Sequence, residues 1–187
     1  MLVSPPPCEP GWKALDFELT DTFGRHQSLA SLRGPNGLLV MFICNHCPYV
    51  KAVIDRICST AVELQAMDIG VAAIMSNDTQ AYPEDSFANM QNLATSQNFS
   101  FPYLYDSTQQ VARDYGAACT PDFFGFNRDL ELQYRGRLDS NAIKPATPDT
   151  RQELVDAMRL IGETGRGPAK QIPSMGCSIK WRDGYAT

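Results

Sequence analysis

Long apolar runs and clusters of basic residues are both missing from this chain of 187 residues. A membrane-spanning helix needs about 20 consecutive apolar residues, so no such helix is predicted. The net charge of −5 and the scattered lysines and arginines argue against nucleic-acid or anionic-membrane partners. The N-terminus also lacks the basic start and apolar core of a signal peptide. We therefore expect a cytoplasmic protein.

Histidine is scarce, and the chain has a single C-x-x-C motif. The two histidines, His26 and His46, and the one cysteine pair do not supply the four ligands of a structural zinc site. No metal or cofactor is predicted. Six cysteines are also too few for a disulfide scaffold in a chain of this length, so we expect free thiols in a reducing compartment. They are Cys8, Cys44, Cys47, Cys58, Cys119 and Cys177.

Apolar periodicity predicts an α/β fold with a mixed central sheet flanked by helices. The run "GLLVMFIC" (37–44) indicates a strand buried on both faces, as does "IGVAAIMS" (69–76). From Pro48 to about Met67 apolar residues recur every three or four positions, which predicts a helix. With no repeat or low-complexity linker, we expect one domain over residues 1–165 and a C-terminal tail over 166–187 that packs on it.

The stretch "FICNHCPYV" (42–50) carries the main chemical signal. A C-x-x-C motif between a strand and a helix is typical of thiol redox chemistry. A helix N-terminus lowers the pKa of a thiol, and a cationic imidazole at His46 would lower it further. A metal half-site and two buried structural thiols remain alternatives at this point.

Several motifs together resemble a known family. They are "DFELTDTFGRHQSLASLRG", "MFICNHCPYVKA", "CTPDFF", "YRGRLDSN" and "GCSIKWR". They are similar to thioredoxin-like proteins of the AhpC/TSA family (alkyl hydroperoxide reductase/thiol-specific antioxidant), over nearly the whole chain. The resemblance implies a thioredoxin-like, glutaredoxin-type sandwich with an N-terminal β-hairpin. It also implies a cis peptide bond at Thr120–Pro121, where the adjacent backbone would hold the substrate chain as an added strand.

The resemblance also bears on which cysteine attacks. In thioredoxin-like proteins the attacking cysteine follows the strand's phenylalanine by five residues, and five residues from Phe42 is Cys47. The peroxiredoxin pattern P-x-x-x-T-x-x-C likewise places Cys47 at the reactive position and puts Cys44 where a threonine would stand. We therefore predict that Cys47 is the nucleophile and Cys44 its resolving partner. The usual order, with Cys44 attacking, is the alternative.

Three further residues are candidates for accessory roles. Cys119, two residues before Pro121, is a third redox thiol, a metal ligand or a packing residue. Cys177 lies in the tail motif "GCSIKWR", which would fold back and supply a distant resolving thiol. Arg137 either stabilises a thiolate or fixes a loop through a salt bridge. The strand at 37–44 contains no acid to move protons beneath the pair, so such a group must come from elsewhere.

The sequence thus predicts a thiol–disulfide oxidoreductase with an antioxidant or redox-homeostasis role. Its substrate would be a disulfide-bearing protein or a small thiol, and its reductant a thioredoxin system or glutathione. One alternative is a peroxiredoxin-like thiol peroxidase with Cys47 peroxidatic. Another is a Cu(I)- or Zn-binding protein that uses Cys44, Cys47, Cys119 and His46.

Overall fold

The computed structural model of the chain describes residues 1–182. In that part ten strands occur: β1 (Leu2–Val3), β2 (Glu18–Asp21), β3 (His26–Ser28), β4 (Gly37–Phe42), β5 (Ile69–Met75), β6 (Tyr103–Tyr105), β7 (Cys119–Thr120), β8 (Asp122–Phe126), β9 (Leu132–Arg135) and β10 (Gly176–Ser178). Six α-helices accompany them: α1 (Leu29–Leu32), α2 (Pro48–Lys51), α3 (Ile54–Gln65), α4 (Phe87–Ser96), α5 (Gln110–Asp114) and α6 (Glu153–Thr164). A 3-10 turn covers Pro83–Asp85.

Seven strands form the central sheet, in the order β3-β2-β6-β5-β4-β8-β9. At its centre β4 runs parallel to β5 and antiparallel to β8. The first hairpin, β2–β3, joins the sheet through β6. The predicted fold class, a mixed sheet flanked by helices, is confirmed.

The core lies on both faces of the sheet, and β4 contributes to each. All six residues of β4 are buried. Leu39 and Met41 belong to one apolar cluster with α3 and α6, whereas Val40 and Phe42 belong to the cluster on the opposite face. Successive side chains of β4 point to opposite faces of the sheet, and both faces are covered. The sequence of β4 is therefore continuously apolar rather than alternating between apolar and polar residues.

The helix predicted from Pro48 to about Met67 is interrupted, and in this respect the prediction was wrong. The chain forms α2, breaks at Ala52–Val53 and resumes as α3. Val53 has φ −124° and ψ 4°, and its N–H donates to the Val50 carbonyl, which closes a four-residue turn. Apolar spacing continues across the break because both segments face the same core cluster.

A second, smaller sheet contains the C-terminal strand. Its order is β1-β10-β7, with β10 antiparallel to both neighbours. The sequence showed no period in this region, and no strand was predicted there. Of the predicted tail, residues 183–187 lie outside the described part of the chain. Within residues 1–182 no helix is both long and apolar enough to cross a membrane.

Candidate active site

The two cysteines of the C-x-x-C motif lie where β4 leads into α2. Cys44 follows the end of β4 by two residues, and Cys47 is the N-cap of α2 with Pro48 at the first helical position. The predicted position of Cys47 at the helix start is therefore confirmed. Both side chains are buried, with 1% of Cys44 and 0% of Cys47 exposed.

The segment between β7 and β8 packs against this pair. The Thr120–Pro121 peptide bond is cis, as the resemblance implied. The Thr120 hydroxyl lies 3.4 Å from the sulfur of Cys44, and the Thr120 carbonyl accepts a hydrogen bond of 3.2 Å from the Cys47 thiol. Residues more than 70 positions apart in sequence thus form one polar contact set around two sulfur atoms.

The surroundings push the pKa values of the two thiols in opposite directions. A hydrogen bond from Cys44 lowers the pKa of Cys47 to about 4, against the effect of burial, and Thr120 and the N–H groups of Val50 and Cys177 lower it further. The same bond with Cys47, together with burial and the charge of Asp85, raises the pKa of Cys44 well above its ordinary value. These opposite shifts favour ionisation of Cys47 before that of Cys44.

A buried acid, which sequence reasoning missed, lies beside the pair. Asp85 is fully buried, and one carboxylate oxygen accepts hydrogen bonds from the N–H groups of Asn45 (2.8 Å) and His46 (3.1 Å). The other oxygen accepts from His46 Nδ1 (2.6 Å) and the Asn77 amide (2.8 Å). Asp85 thereby fixes the C-x-x-C loop and the imidazole, which also stacks on Tyr82.

No local signal marked Asp85, because its partners come from distant parts of the chain. Taken alone, Pro83 followed by two acids is typical only of a helix start, and Pro83–Asp85 forms a 3-10 turn. Asp85 also carries a negative charge next to Cys44, which opposes ionisation of that thiol. Asp85 therefore widens the difference in pKa between Cys44 and Cys47.

The predicted accessory residues lie at different distances from the chemistry. Cys119 is buried, its thiol bonds weakly to the Pro121 carbonyl (3.5 Å), and burial followed by the charge of Asp122 raises its pKa to about 12. Cys177 is half-buried on β10, opposite Thr120, and hydrogen-bonds to Cys47. The structure thus brings Cys177 to the site and leaves Cys119 a protonated, packed thiol.

Arg137 is committed to a carboxylate. Its Nη2 donates to Glu153 at 2.9 Å, its Nε donates to the same carboxylate, and its backbone N–H bonds to Ile172. This is the salt bridge that the sequence analysis gave as the alternative to thiolate stabilisation. The thiolate-stabilising role stays a prediction without a contact in its favour.

A metal ion fits the cluster poorly. The potential ligand atoms of Cys44, His46 and Asp85 all lie within 4.8 Å of one another. Both oxygens of Asp85, however, already accept two N–H groups each, and one of those donors is the His46 imidazole. A tetrahedral zinc or soft copper site would have to break this set before gaining its ligands.

Beside Pro121 lies an apolar groove of about 290 Å³. Tyr49, Phe123, Ile143, Ile172 and Met175 are among its lining residues. Ile143 and Met175 are about half exposed. The groove meets the site at Pro121, the residue that follows Thr120.

The model of the AhpC/TSA family matches residues 10–135, which cover both cysteines and the cis-proline. The chain belongs to the AhpC/TSA family. No curated protein matches the sequence. Family membership and the thioredoxin-like fold support a role in thiol redox chemistry.

Solved structures extend the comparison to the full chain. An uncharacterised conserved protein from Geobacillus kaustophilus is 41% identical, with a TM-score of 0.92 and 98% of each chain covered. A hypothetical protein from Sinorhizobium meliloti is 35% identical, with a TM-score of 0.91 over 97% of this chain and 99% of the other. A secreted disulfide oxidoreductase from Mycobacterium tuberculosis shares the fold at 17% identity, with a TM-score of 0.58 over 76% and 94% of the two chains.

Proposed function

We propose that this protein is a thiol–disulfide oxidoreductase in which Cys47 attacks and Cys44 resolves. The observation that carries the proposal is the asymmetry of the pair. Cys47 has a depressed pKa at the start of α2, and its hydrogen-bond partner Cys44 has a raised one. A thiolate is the nucleophile in disulfide exchange, so this difference in pKa supports Cys47 as the attacking residue and Cys44 as the resolving one.

The reaction proceeds through a mixed disulfide. The Cys47 thiolate attacks one sulfur of the substrate disulfide, forms a bond to it and expels the other sulfur, which takes up a proton. Cys44 then gives up its proton and attacks the sulfur of Cys47. The Cys44–Cys47 disulfide forms as the second substrate thiol leaves and is protonated. Two electrons pass from the protein thiols to the substrate, and a separate reductant must return them.

The same site guides our proposals for the substrate, the reductant and the location of the protein. A disulfide-bearing protein is the substrate that we favour, because the apolar groove that reaches Pro121 offers room for its side chains. The disulfide of a small thiol compound would react with Cys47 in the same way. We assign the return of electrons to a thioredoxin system or glutathione. The six unpaired cysteines favour a reducing, cytoplasmic location.

A single-turnover assay tests the role of each sulfur. The reduced protein is mixed with an aromatic disulfide whose thiol product absorbs visible light. We expect a fast release of the first thiol that is retained in Cys44→Ser and lost in Cys47→Ser, with Cys58→Ser as a control that removes a thiol on α3. A fast phase that survives in Cys47→Ser and disappears in Cys44→Ser would reverse the assignment.

A thiol peroxidase is the second candidate, because family membership and the depressed pKa of Cys47 fit it equally. The threonine of the peroxiredoxin pattern is replaced by Cys44, although the Thr120 hydroxyl approaches the pair from β7. Stopped-flow mixing with hydrogen peroxide separates the two functions. If Cys47 forms a sulfenic acid no faster than free cysteine does, the peroxidase is eliminated.

A further inference from the structure

The edge of β7 beside the cis-proline is occupied by the protein's own C-terminus. The family resemblance led us to expect a substrate strand there, but β10 pairs with it instead, with Cys177 opposite Thr120 and Ser178 opposite Cys119. The expectation that the Thr120–Pro121 backbone is open to a substrate is therefore wrong for this conformation. Any chain that binds along this edge must first displace β10.

Glycine at position 176 is required for this close approach. A Cβ added to Gly176 would lie 2.0 Å from the carbonyl oxygen of Thr120, a distance that no side chain tolerates. The backbone of β10 thus lies directly against the substrate edge.

The C-terminal segment (residues 174–182) is held in place by contacts just after β10. The Lys180 N–H donates to the Asn77 side chain at 2.9 Å, and the Lys180 carbonyl accepts from the Gln109 amide at 2.8 Å. Ile179 is 4% exposed and packs in the second core cluster. These contacts define the position of Cys177 rather than leaving it on a loose tail.

Cys177 forms a three-sulfur cluster with the C-x-x-C pair. Its thiol hydrogen-bonds to Cys47, and its N–H is directed at the same sulfur. Cys44 and Cys47 are 1% and 0% exposed, whereas Cys177 is half-buried. In this conformation Cys177 is the member of the cluster that solvent reaches.

We propose that Cys177 is a third redox thiol, which carries the disulfide from the buried Cys44–Cys47 pair to a dithiol reductant in solution. The proposal rests on the function proposed above, since it begins from the oxidised pair. Cys177 hydrogen-bonds to Cys47, the sulfur that it would attack, and the pairing of β10 with β7 fixes its position there.

The transfer balances in three exchanges. Cys177 attacks the sulfur of Cys47, the Cys47–Cys177 bond forms, the Cys44–Cys47 bond breaks, and the proton from Cys177 goes to Cys44. A dithiol then attacks the exposed sulfur of Cys177 and releases Cys47 as a thiolate. The second sulfur of the dithiol completes its own disulfide, and Cys177 regains a proton. Two electrons enter the protein, and the dithiol is oxidised.

Reduction kinetics test the proposal. The full chain is oxidised to the Cys44–Cys47 disulfide and mixed with dithiothreitol, and samples are quenched with acid, alkylated and mapped by mass spectrometry. We expect reduction of Cys177→Ser to be at least about tenfold slower than wild type, because a thiol held in contact acts at an effective concentration of millimolar or more. Serine nearly preserves the size of the side chain, so β10 stays in place. Cys58→Ser, a thiol away from the cluster, should match wild type.

A trapping experiment keeps Cys177 and does not depend on that variant. Cys44→Ser oxidised with a small disulfide should form a Cys47–Cys177 disulfide. A mixed disulfide on Cys47 that Cys177 does not resolve would overturn the inference, as would an unchanged reduction rate in Cys177→Ser. The two failures are distinguishable: if wild-type protein forms no Cys44–Cys47 disulfide at all, the proposed function fails first.

Discussion

Replacing Cys44 with alanine is expected to raise the pKa of Cys47 by about one to two pH units. The hydrogen bond from Cys44 is the largest influence that lowers this pKa. A hydrogen bond to a charged group contributes about 1.5–3 kcal/mol. One pH unit corresponds to about 1.4 kcal/mol, which gives the expected range.

The effect is measured best in mild acid. With a pKa of about 4, about 90% of Cys47 is thiolate at pH 5, and the substitution reduces this to between about 50% and 10%. Ultraviolet absorbance of the thiolate, followed against pH, is the assay of choice because it needs no reagent to reach a buried sulfur. Cys44→Ser should show a smaller change, since its hydroxyl still donates. Cys58→Ala serves as the control for losing a thiol elsewhere.

One result would refute this reasoning. If the thiolate of Cys47 titrates in Cys44→Ala at the same pH as in wild type, Cys44 does not stabilise it. The depressed pKa would then come from the backbone N–H groups and Thr120, and the asymmetry between the two cysteines would lose its main cause.

Three further predictions concern stability, charge and access. Because the pKa of Cys47 is depressed in the folded state, the unfolded state binds more protons than the folded state does. The free energy of unfolding of wild type, measured in urea relative to Cys47→Ser, should therefore rise between about pH 4 and pH 9, by at most about 1.4 kcal/mol per pH unit. A difference that stays constant with pH would contradict this prediction. Asp85→Asn removes the charge beside Cys44, so in a Cys47→Ser background Cys44 should be alkylated at lower pH than with Asp85 present, and an unchanged profile would show that the charge is not felt. Gly176→Ala forces β10 away from Thr120 and should lower the free energy of unfolding by about 1–3 kcal/mol. It should also increase the rate at which Cys47 is alkylated. Equal alkylation rates in wild type and Gly176→Ala would mean that β10 does not limit access to Cys47.

The features that could be predicted from the sequence are local ones. The buried strand β4 was recognisable because each of its residues is apolar, and Cys47 at the helix start followed from the register that the family resemblance implies, counted from Phe42. Both depend on neighbours within a few residues. The cis bond before Pro121 came from family resemblance, since local chemistry alone makes cis rare even before proline.

The remaining parts of the site depend on contacts between distant segments. Asp85 lies in a short turn whose carboxylate role appears only when Asn77 and the C-x-x-C loop are placed around it. The strand β10 has three residues, includes a glycine and lacks any period, so its pairing is decided by the edge of β7 rather than by its own propensity. The break at Val53 was hidden because α2 and α3 share an apolar face.

The central claim, that Cys47 is the attacking sulfur, is tested most directly by titrating the thiolate absorbance of Cys44→Ser and Cys47→Ser side by side. The account predicts a transition well below the ordinary range of a thiol in Cys44→Ser and none there in Cys47→Ser. A low-pH thiolate that persists in Cys47→Ser would show that Cys44 attacks and would contradict the account.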